Sequence, residues 1–157
     1  MNWFVLYVKP KQELKVAQQL ANINVEAYAP YKKEIRQWSD RKKKIDVPLF
    51  TSYVFVKLLE KERSLVFDVP GVVRYLFWLG KPAIAREEEI TRLKDWLEDD
   101  EVDDLMVSQF EPGDKITINN GILKGKEAQI EEVGRSTMRM ILKELGVVVQ
   151  VRMKELV

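Results

Sequence analysis

The chain contains 157 residues, of which 46% are hydrophobic and 32% are charged. This composition is typical of a folded protein with room for one or two small domains. The absence of histidine and cysteine removes disulfides, thiolate nucleophiles, and the commonest general base and metal ligand. We therefore predict a protein that is not an enzyme and has no cofactor and no metal. No apolar run could span a bilayer and no signal-peptide pattern is present, so we expect a cytoplasmic protein without membrane association.

The net charge of +1 conceals two blocks of opposite sign. Residues 32–44 contain seven basic side chains against two acidic ones, whereas residues 87–104 contain ten acidic side chains against two basic ones. A basic face favours a polyanion or an acidic protein surface as its partner. The acidic block lacks the ligand spacing of a divalent-cation site, which favours a solvated helix end and linker over a Mg²⁺ site.

In the first 97 residues the pattern predicts strands and helices in the order β-α-β-β-α-β-α. An apolar, β-branched and aromatic run at residues 3–8 is typical of a buried strand. The other predicted strands are 25–28 with 34–38, 44–58 interrupted at Pro48, and 72–79. The predicted helices are 11–22, 60–68 and 87–97. This order predicts an α+β fold in which an antiparallel sheet is flanked by helices.

Apolar side chains recur at helical spacing in the first and last of these helices. In the first helix the predicted buried face consists of Leu14, Ala17, Leu20 and Ala21. In the last helix it consists of Ile90, Leu93, Trp96 and Leu97. Acidic residues in the first turn of the last helix suit the helix dipole.

The composition changes near residue 98, which predicts two domains. Residues 98–109 are acidic and lack clear periodicity, so they are interpreted as a linker between a domain at 1–97 and a domain at 110–157. The second region contains several short apolar runs separated by glycine turns. This pattern predicts a small β-barrel.

Two segments go beyond general patterning. Residues 47–56, Val-Pro-Leu-Phe-Thr-Ser-Tyr-Val-Phe-Val, resemble the signature strand of the NusG N-terminal domain. Residues 110–115, Phe-Glu-Pro-Gly-Asp-Lys, followed by Asn120-Gly121 and Lys124-Gly125-Lys126, resemble the opening of a KOW motif. Residues 34–44 look like the corresponding stretch of the specialised UpxY-like antiterminators of surface-polysaccharide operons. The chain departs from the family where Thr51-Ser52 replaces Pro-Gly, and where Ala128 replaces a third glycine of the KOW motif.

The resemblance implies an NGN-like domain followed by an SH3-like KOW barrel. It implies a monomeric transcription elongation and antitermination factor that binds the clamp helices of the largest subunit of RNA polymerase. Such a factor suppresses pausing or termination, and its barrel recruits a ribosomal protein or a termination factor. An RNA-binding or ribosome-associated KOW protein is the alternative, although the nearly balanced charges of residues 110–157 argue against it. A carboxylate-dependent enzyme is a third possibility, opposed by the missing histidine and cysteine.

The candidate polymerase-binding residues lie in three segments. The aromatic residues of 50–55 form either a strand buried on both faces or an apolar patch for the clamp helices. Phe77 is either part of the same patch or a core residue. The segment with Arg63 and Ser64 is assigned only by its position in the family. The candidates are Phe50, Tyr53, Phe55, Phe77, Arg63 and Ser64.

Basic residues provide the candidate contacts to upstream or non-template DNA. Those flanking the turn at 39–41 either contact DNA or an acidic polymerase surface, or form a solvated strand edge. The candidates there are Arg36, Arg41, Lys42 and Lys43, with Trp38 as a neighbouring stacking group. Family position adds Lys9, Lys11 and Lys15 near a helix N-terminus. Leu145 matches a partner-binding position of the KOW barrel, or else it is a core residue.

Overall fold

The computed structural model describes residues 1–99, 101–109, 129–132 and 136–154. The strands of the first part are β1 Asn2–Val8, β2 Glu26–Tyr28, β3 Tyr31–Gln37, β4 Lys42–Pro48, β5 Tyr53–Leu58, β6 Val72–Tyr75, β7 Phe77–Trp78, β8 Lys81–Pro82 and β9 Ile84–Ala85. Its helices are α1 Glu13–Asn22, the 3-10 helix η1 Glu60–Asp68, and α2 Glu87–Glu98. The second part contains β10 Val102–Gln109, β11 Gln129–Glu132, β12 Thr137–Leu142, the 3-10 turn η2 Lys143–Leu145, and β13 Val147–Met153. Among the described residues no helix has the length and apolar character needed to cross a membrane.

The N-terminal sheet is antiparallel, with the strand order β2-β5-β1-β6 and with β9 also paired to β1. Apolar residues occupy both alternating positions of β1 and β5, so both faces of the sheet are buried. One face, which includes Phe4 and Val54, packs with Val16 and Leu20 of α1. The other, which includes Trp3 and Phe55, belongs to a second buried cluster. The prediction of a mixed α+β fold with antiparallel sheets is confirmed.

The buried face of α1 differs from the prediction. Glu13, Val16 and Leu20 are buried, whereas Leu14 is 42% exposed and Ala21 is exposed. The Glu13 carboxylate accepts a hydrogen bond from the backbone N–H of Ser52 at 3.4 Å, in the turn before β5. This contact orients α1 with Glu13 towards the sheet, so the buried stripe lies one residue away from the one that hydrophobicity indicated.

Strands β3 and β4 form a two-stranded antiparallel sheet, which we call the basic ribbon. Its register pairs Tyr31 with Pro48 at the base and Gln37 with Lys42 beside the turn. The predicted single strand over 44–58 is therefore two strands, β4 and β5. The chain turns between them because Pro48 ends β4 and Ser52 adopts a positive φ of 69°.

The four strands of the second part form one antiparallel sheet in the order β10-β13-β12-β11, which we call the C-terminal sheet. Most of residues 98–109, interpreted from their composition as an acidic linker, form a strand. Residues 102–109 form β10 and pair along the whole of β13, and Leu105 of this strand is buried. The KOW-like segment at 110–128 lies outside the described residues, so the closed barrel and the division into two domains stay predictions.

One buried cluster connects the two parts of the chain. From the N-terminal part it contains Trp3, Val5, Leu49, Phe50, Phe55, Ala85, Ile90, Leu93 and Trp96. From the C-terminal sheet and η2 it contains Leu105, Met140, Leu142, Leu145, Val147, Val149 and Val151. The buried positions predicted for α2 are confirmed at Ile90, Leu93 and Trp96, whereas Leu97 is only half-buried. The C-terminal sheet thus completes a core that the N-terminal part begins.

Candidate partner-binding surfaces

The aromatic segment, defined as Phe50, Tyr53 and Phe55, lies mostly in this shared cluster. Phe50 is 3% exposed and Phe55 is fully buried, with their rings in edge contact at 5.5 Å between centroids. Tyr53 is half-buried and makes an edge contact with Tyr7 at 6.2 Å. In this arrangement Phe50 and Phe55 are core residues shared with α2 and the C-terminal sheet, and their contact with polymerase stays a prediction.

The other candidate polymerase contacts lie apart from the aromatic segment. Phe77 is 53% exposed on β7 and is outside the shared cluster. The Arg63 guanidinium lies over the rings of Tyr75 at 5.5 Å and Phe4 at 6.0 Å. Because Phe4 packs on the opposite face of the sheet from Phe55, Arg63 is on the other side of the sheet from the aromatic segment.

Arg63 and Tyr75 also support each other structurally. The Tyr75 hydroxyl donates a hydrogen bond to the Arg63 carbonyl at 2.7 Å. Burial raises the pKa of Tyr75 to about 12, so this hydroxyl keeps its proton. Ser64, the next residue along η1, is exposed.

The basic candidates are exposed on two different elements. Lys9 and Lys11 precede α1, Lys15 lies in its first turns, and Lys11 has a positive φ of 67°. On the outer half of the basic ribbon, Arg36, Arg41, Lys42 and Lys43 are all exposed. Arg36 forms an ion pair with Glu34 at 3.5 Å. The Lys43 ammonium lies 4.8 Å from the centroid of the Trp38 ring.

The base of the basic ribbon lies against α2 and β10. A cleft of about 460 Å³ there is lined by Tyr31, Lys32, Lys33, Glu34, Trp96, Leu97, Asp99, Val102, Asp103, Asp104 and Leu105. The Lys32 ammonium donates a hydrogen bond across it to the Leu105 carbonyl at 3.0 Å. The acidic side chains of β10 thus lie beside the base of the ribbon and far along the strands from its turn.

Leu145 lies at a second junction, where η2 packs against β7 and β9. It is 8% exposed and lines a cavity of about 190 Å³ with Trp78, Ile84, Arg86, Glu89 and Glu144. In this arrangement Leu145 is a core residue of the junction and is not available to another protein.

Hydrophobic patterning missed Glu89, the buried carboxyl of this junction. Its side chain is 6% exposed, and burial raises its pKa from 4.5 to about 7. The Glu89 carboxyl accepts a hydrogen bond from the Arg86 backbone N–H at 2.7 Å, which caps α2. Burial also raises the pKa of Glu144. Within the described ranges no group of three or more acidic, histidine or cysteine side chains could hold a metal ion.

Comparison with known proteins gives a match over most of the N-terminal part. The family described as "Transcription termination factor nusG" matches residues 1–94. A solved structure described as "Domain interaction in Thermotoga maritima NusG" is similar at 17% sequence identity, with a TM-score of 0.43 and coverage of 98% of this chain and 93% of that chain. The family match covers more than half of the 157 residues.

Proposed function

Because the chain belongs to the NusG family, we propose that it regulates transcription elongation by binding RNA polymerase and catalyses no reaction of its own. We propose further that it suppresses pausing or termination, as an antitermination factor of the UpxY-like group. The family match over residues 1–94 is the observation that carries the proposed role in elongation, and the antitermination part rests on the resemblance of residues 34–44. Binding to one state of the polymerase is sufficient for such an effect, provided the factor prefers that state.

The proposed contact is the face that carries the aromatic segment and the apolar side of α2. These residues supply a continuous apolar surface on the N-terminal part, which suits a partner that presents apolar helices, such as the clamp helices of the largest subunit. Burying one aromatic side chain against a partner contributes about 1.5–3 kcal/mol. A few such side chains would account for a stable complex.

In this structure the C-terminal sheet and η2 cover this face. Phe50 and Phe55 share their cluster with Leu142, Leu145 and the strand β13. Polymerase binding through this face therefore requires the C-terminal sheet to separate from α2. The apparent affinity equals the intrinsic affinity multiplied by the fraction of molecules in which this separation has occurred.

The exposed basic residues would add contacts to nucleic acid. Lys9, Lys11 and Lys15, together with the outer half of the basic ribbon, are the proposed contacts to non-template or upstream DNA. The C-terminal sheet, once separated and completed as a KOW barrel, would expose Leu145 to a further protein such as a ribosomal protein or a termination factor.

Two substitutions test the proposed face by binding to purified core RNA polymerase without nucleic acid. Tyr53→Asp is expected to weaken binding at least about tenfold, because it places a charge in an apolar contact. Leu145→Asp is expected to strengthen binding, because the new carboxylate at the junction with β9 disfavours the covered arrangement. The double variant should bind more tightly than Tyr53→Asp, by the same factor by which Leu145→Asp exceeds the wild type.

Leu14→Asp is the matched control, since Leu14 is exposed on α1 across the sheet from the aromatic segment. It should bind as the wild type does. Circular dichroism must show that each variant is folded. A folded Tyr53→Asp protein that retains wild-type affinity would show that this face does not bind polymerase. A Leu145→Asp protein with wild-type affinity would show that the C-terminal sheet does not inhibit binding.

A further inference from the structure

The outer half of the basic ribbon combines positive charge with an exposed aromatic side chain. Residues 36–44 contain five basic side chains and one acidic one, a net charge of +4, and each of these residues is exposed. Trp38 begins the turn, where its backbone N–H donates to the Arg41 carbonyl at 2.8 Å. Its side chain is 45% exposed. An exposed indole at a charged turn contributes little to the core. Its position therefore suits recognition of a binding partner.

The side chains around Trp38 are arranged on one face of the ribbon. Arg36 and Lys43 are directly paired across the strands, so both side chains project from the same face. The Lys43 ammonium lies 4.8 Å from the Trp38 ring centroid, so the indole is on this face as well. The cation–π contact holds the ring against the basic strand and restricts its rotation.

We infer that Trp38 is a stacking platform for an unpaired base of single-stranded nucleic acid, with Arg36, Arg41 and Lys43 contacting the neighbouring phosphates. The inference rests on the proposed function only for the setting in which such a strand is met, next to transcribing polymerase. A base inside a duplex has both faces covered by its neighbours, so an indole side chain cannot stack on it without unpairing. Stacking on aromatic side chains tolerates any sequence because every base has a π face.

The charges at the ribbon base confine the site to its outer half. Asp103 and Asp104 of β10 line the cleft beside Lys32 and Lys33, and these carboxylates repel a polyanion that extends towards the base. The segment from Arg36 to the turn spans about 10 Å, at about 3.4 Å per residue. This length accommodates a few nucleotides. With three phosphate contacts, the logarithmic salt slope should be no steeper than about −2.

The test measures fluorescence anisotropy of a labelled single-stranded 12-mer of mixed sequence with the full chain and without polymerase. The wild type should bind the single strand more tightly than the blunt duplex of the same sequence. Trp38→Ala should lower single-strand affinity at least about fivefold, the lower end of what one stacked base contributes. Trp38→Phe should retain most of the affinity because a phenyl ring still stacks. Neither substitution should change the affinity for the duplex.

Ile35→Ala is the matched control, because Ile35 is also exposed but alternates to the other face of the ribbon, opposite Lys44. It should leave both affinities unchanged. Unaltered single-strand binding by Trp38→Ala would overturn the inference, as would equal wild-type affinity for single strand and duplex. An acidic protein surface as the true partner predicts that no oligonucleotide binds, which would overturn it too.

The proposed polymerase contact can fail independently of this site. Tyr53→Asp alters a residue of β5 and should keep full affinity for the single strand. Loss of polymerase binding with retained oligonucleotide binding, or the reverse, therefore assigns the failure to one proposal.

Discussion

Replacing Glu89 with glutamine isolates the cost of ionising a carboxyl at the junction between α2 and η2. The residue is 6% exposed, and burial raises its pKa from 4.5 to about 7. Ionising it in the folded chain therefore costs about 3 kcal/mol, at about 1.36 kcal/mol per pH unit. Besides Arg86, the charged groups acting on it are the carboxylates of Glu88 and Glu144, with Lys143 beside Glu144.

The sign of the pH dependence follows from the direction of this change. The folded chain holds the Glu89 proton more tightly than the unfolded chain does, so the folded state is favoured fully below about pH 4.5. This contribution decreases as the pH rises and is lost above about pH 7. Glutamine stays neutral at every pH and still accepts the hydrogen bond from Arg86.

Glu89→Gln should therefore match the wild type in free energy of unfolding near pH 4.5 and exceed it by about 2–3 kcal/mol at pH 8. Urea denaturation at the two pH values measures the difference. Glu88→Gln is the matched control, because its side chain is exposed and its substitution should change stability by less than about 0.5 kcal/mol at either pH. A Glu89→Gln effect of equal size at both pH values would refute the reasoning.

Two further substitutions test local contacts. Ser52→Gly should stabilise the fold by about 0.5–1 kcal/mol in thermal unfolding, because relief of the positive φ of 69° exceeds the entropy cost of glycine; a lower melting temperature would contradict this. Trp3→Phe should raise the pKa of Glu87, because the 2.6 Å hydrogen bond from the Trp3 indole is the largest cause that lowers it. An NMR titration of the Glu87 carboxyl measures this change. An unaltered pKa would show that the Lys57 ammonium is sufficient to keep the pKa of Glu87 low.

The elements with strong periodicity could be predicted from the sequence, because their patterns reflect packing within the N-terminal part. The buried residues Ile90, Leu93 and Trp96 of α2 recur at helical spacing, and β1 is a nearly continuous apolar run. The family resemblance in residues 47–56 was confirmed by the match over 1–94. Its further parts, the KOW barrel and the UpxY-like group, stay predictions.

The errors share one cause, which is packing against distant parts of the chain. Strand β10 was missed because its acidic composition resembles a linker and its pairing partners in β13 lie 38 to 51 residues further along the chain. The buried face of α1 depends on the contact between Glu13 and Ser52, which hydrophobicity does not reveal. Likewise, the burial of Phe50 depends on a sheet that the chain forms only in its second part.

The position of β13 in the C-terminal sheet sets the order in which the molecule can assemble on the ribosome. This strand lies between β10 and β12 and joins them, yet it follows both in the chain. Domains emerge and fold from the N-terminus during synthesis, so α2 and the aromatic segment are complete before the sheet that covers them has its central strand. Each newly made molecule therefore passes through a stage in which this apolar face is open to chaperones or to aggregation.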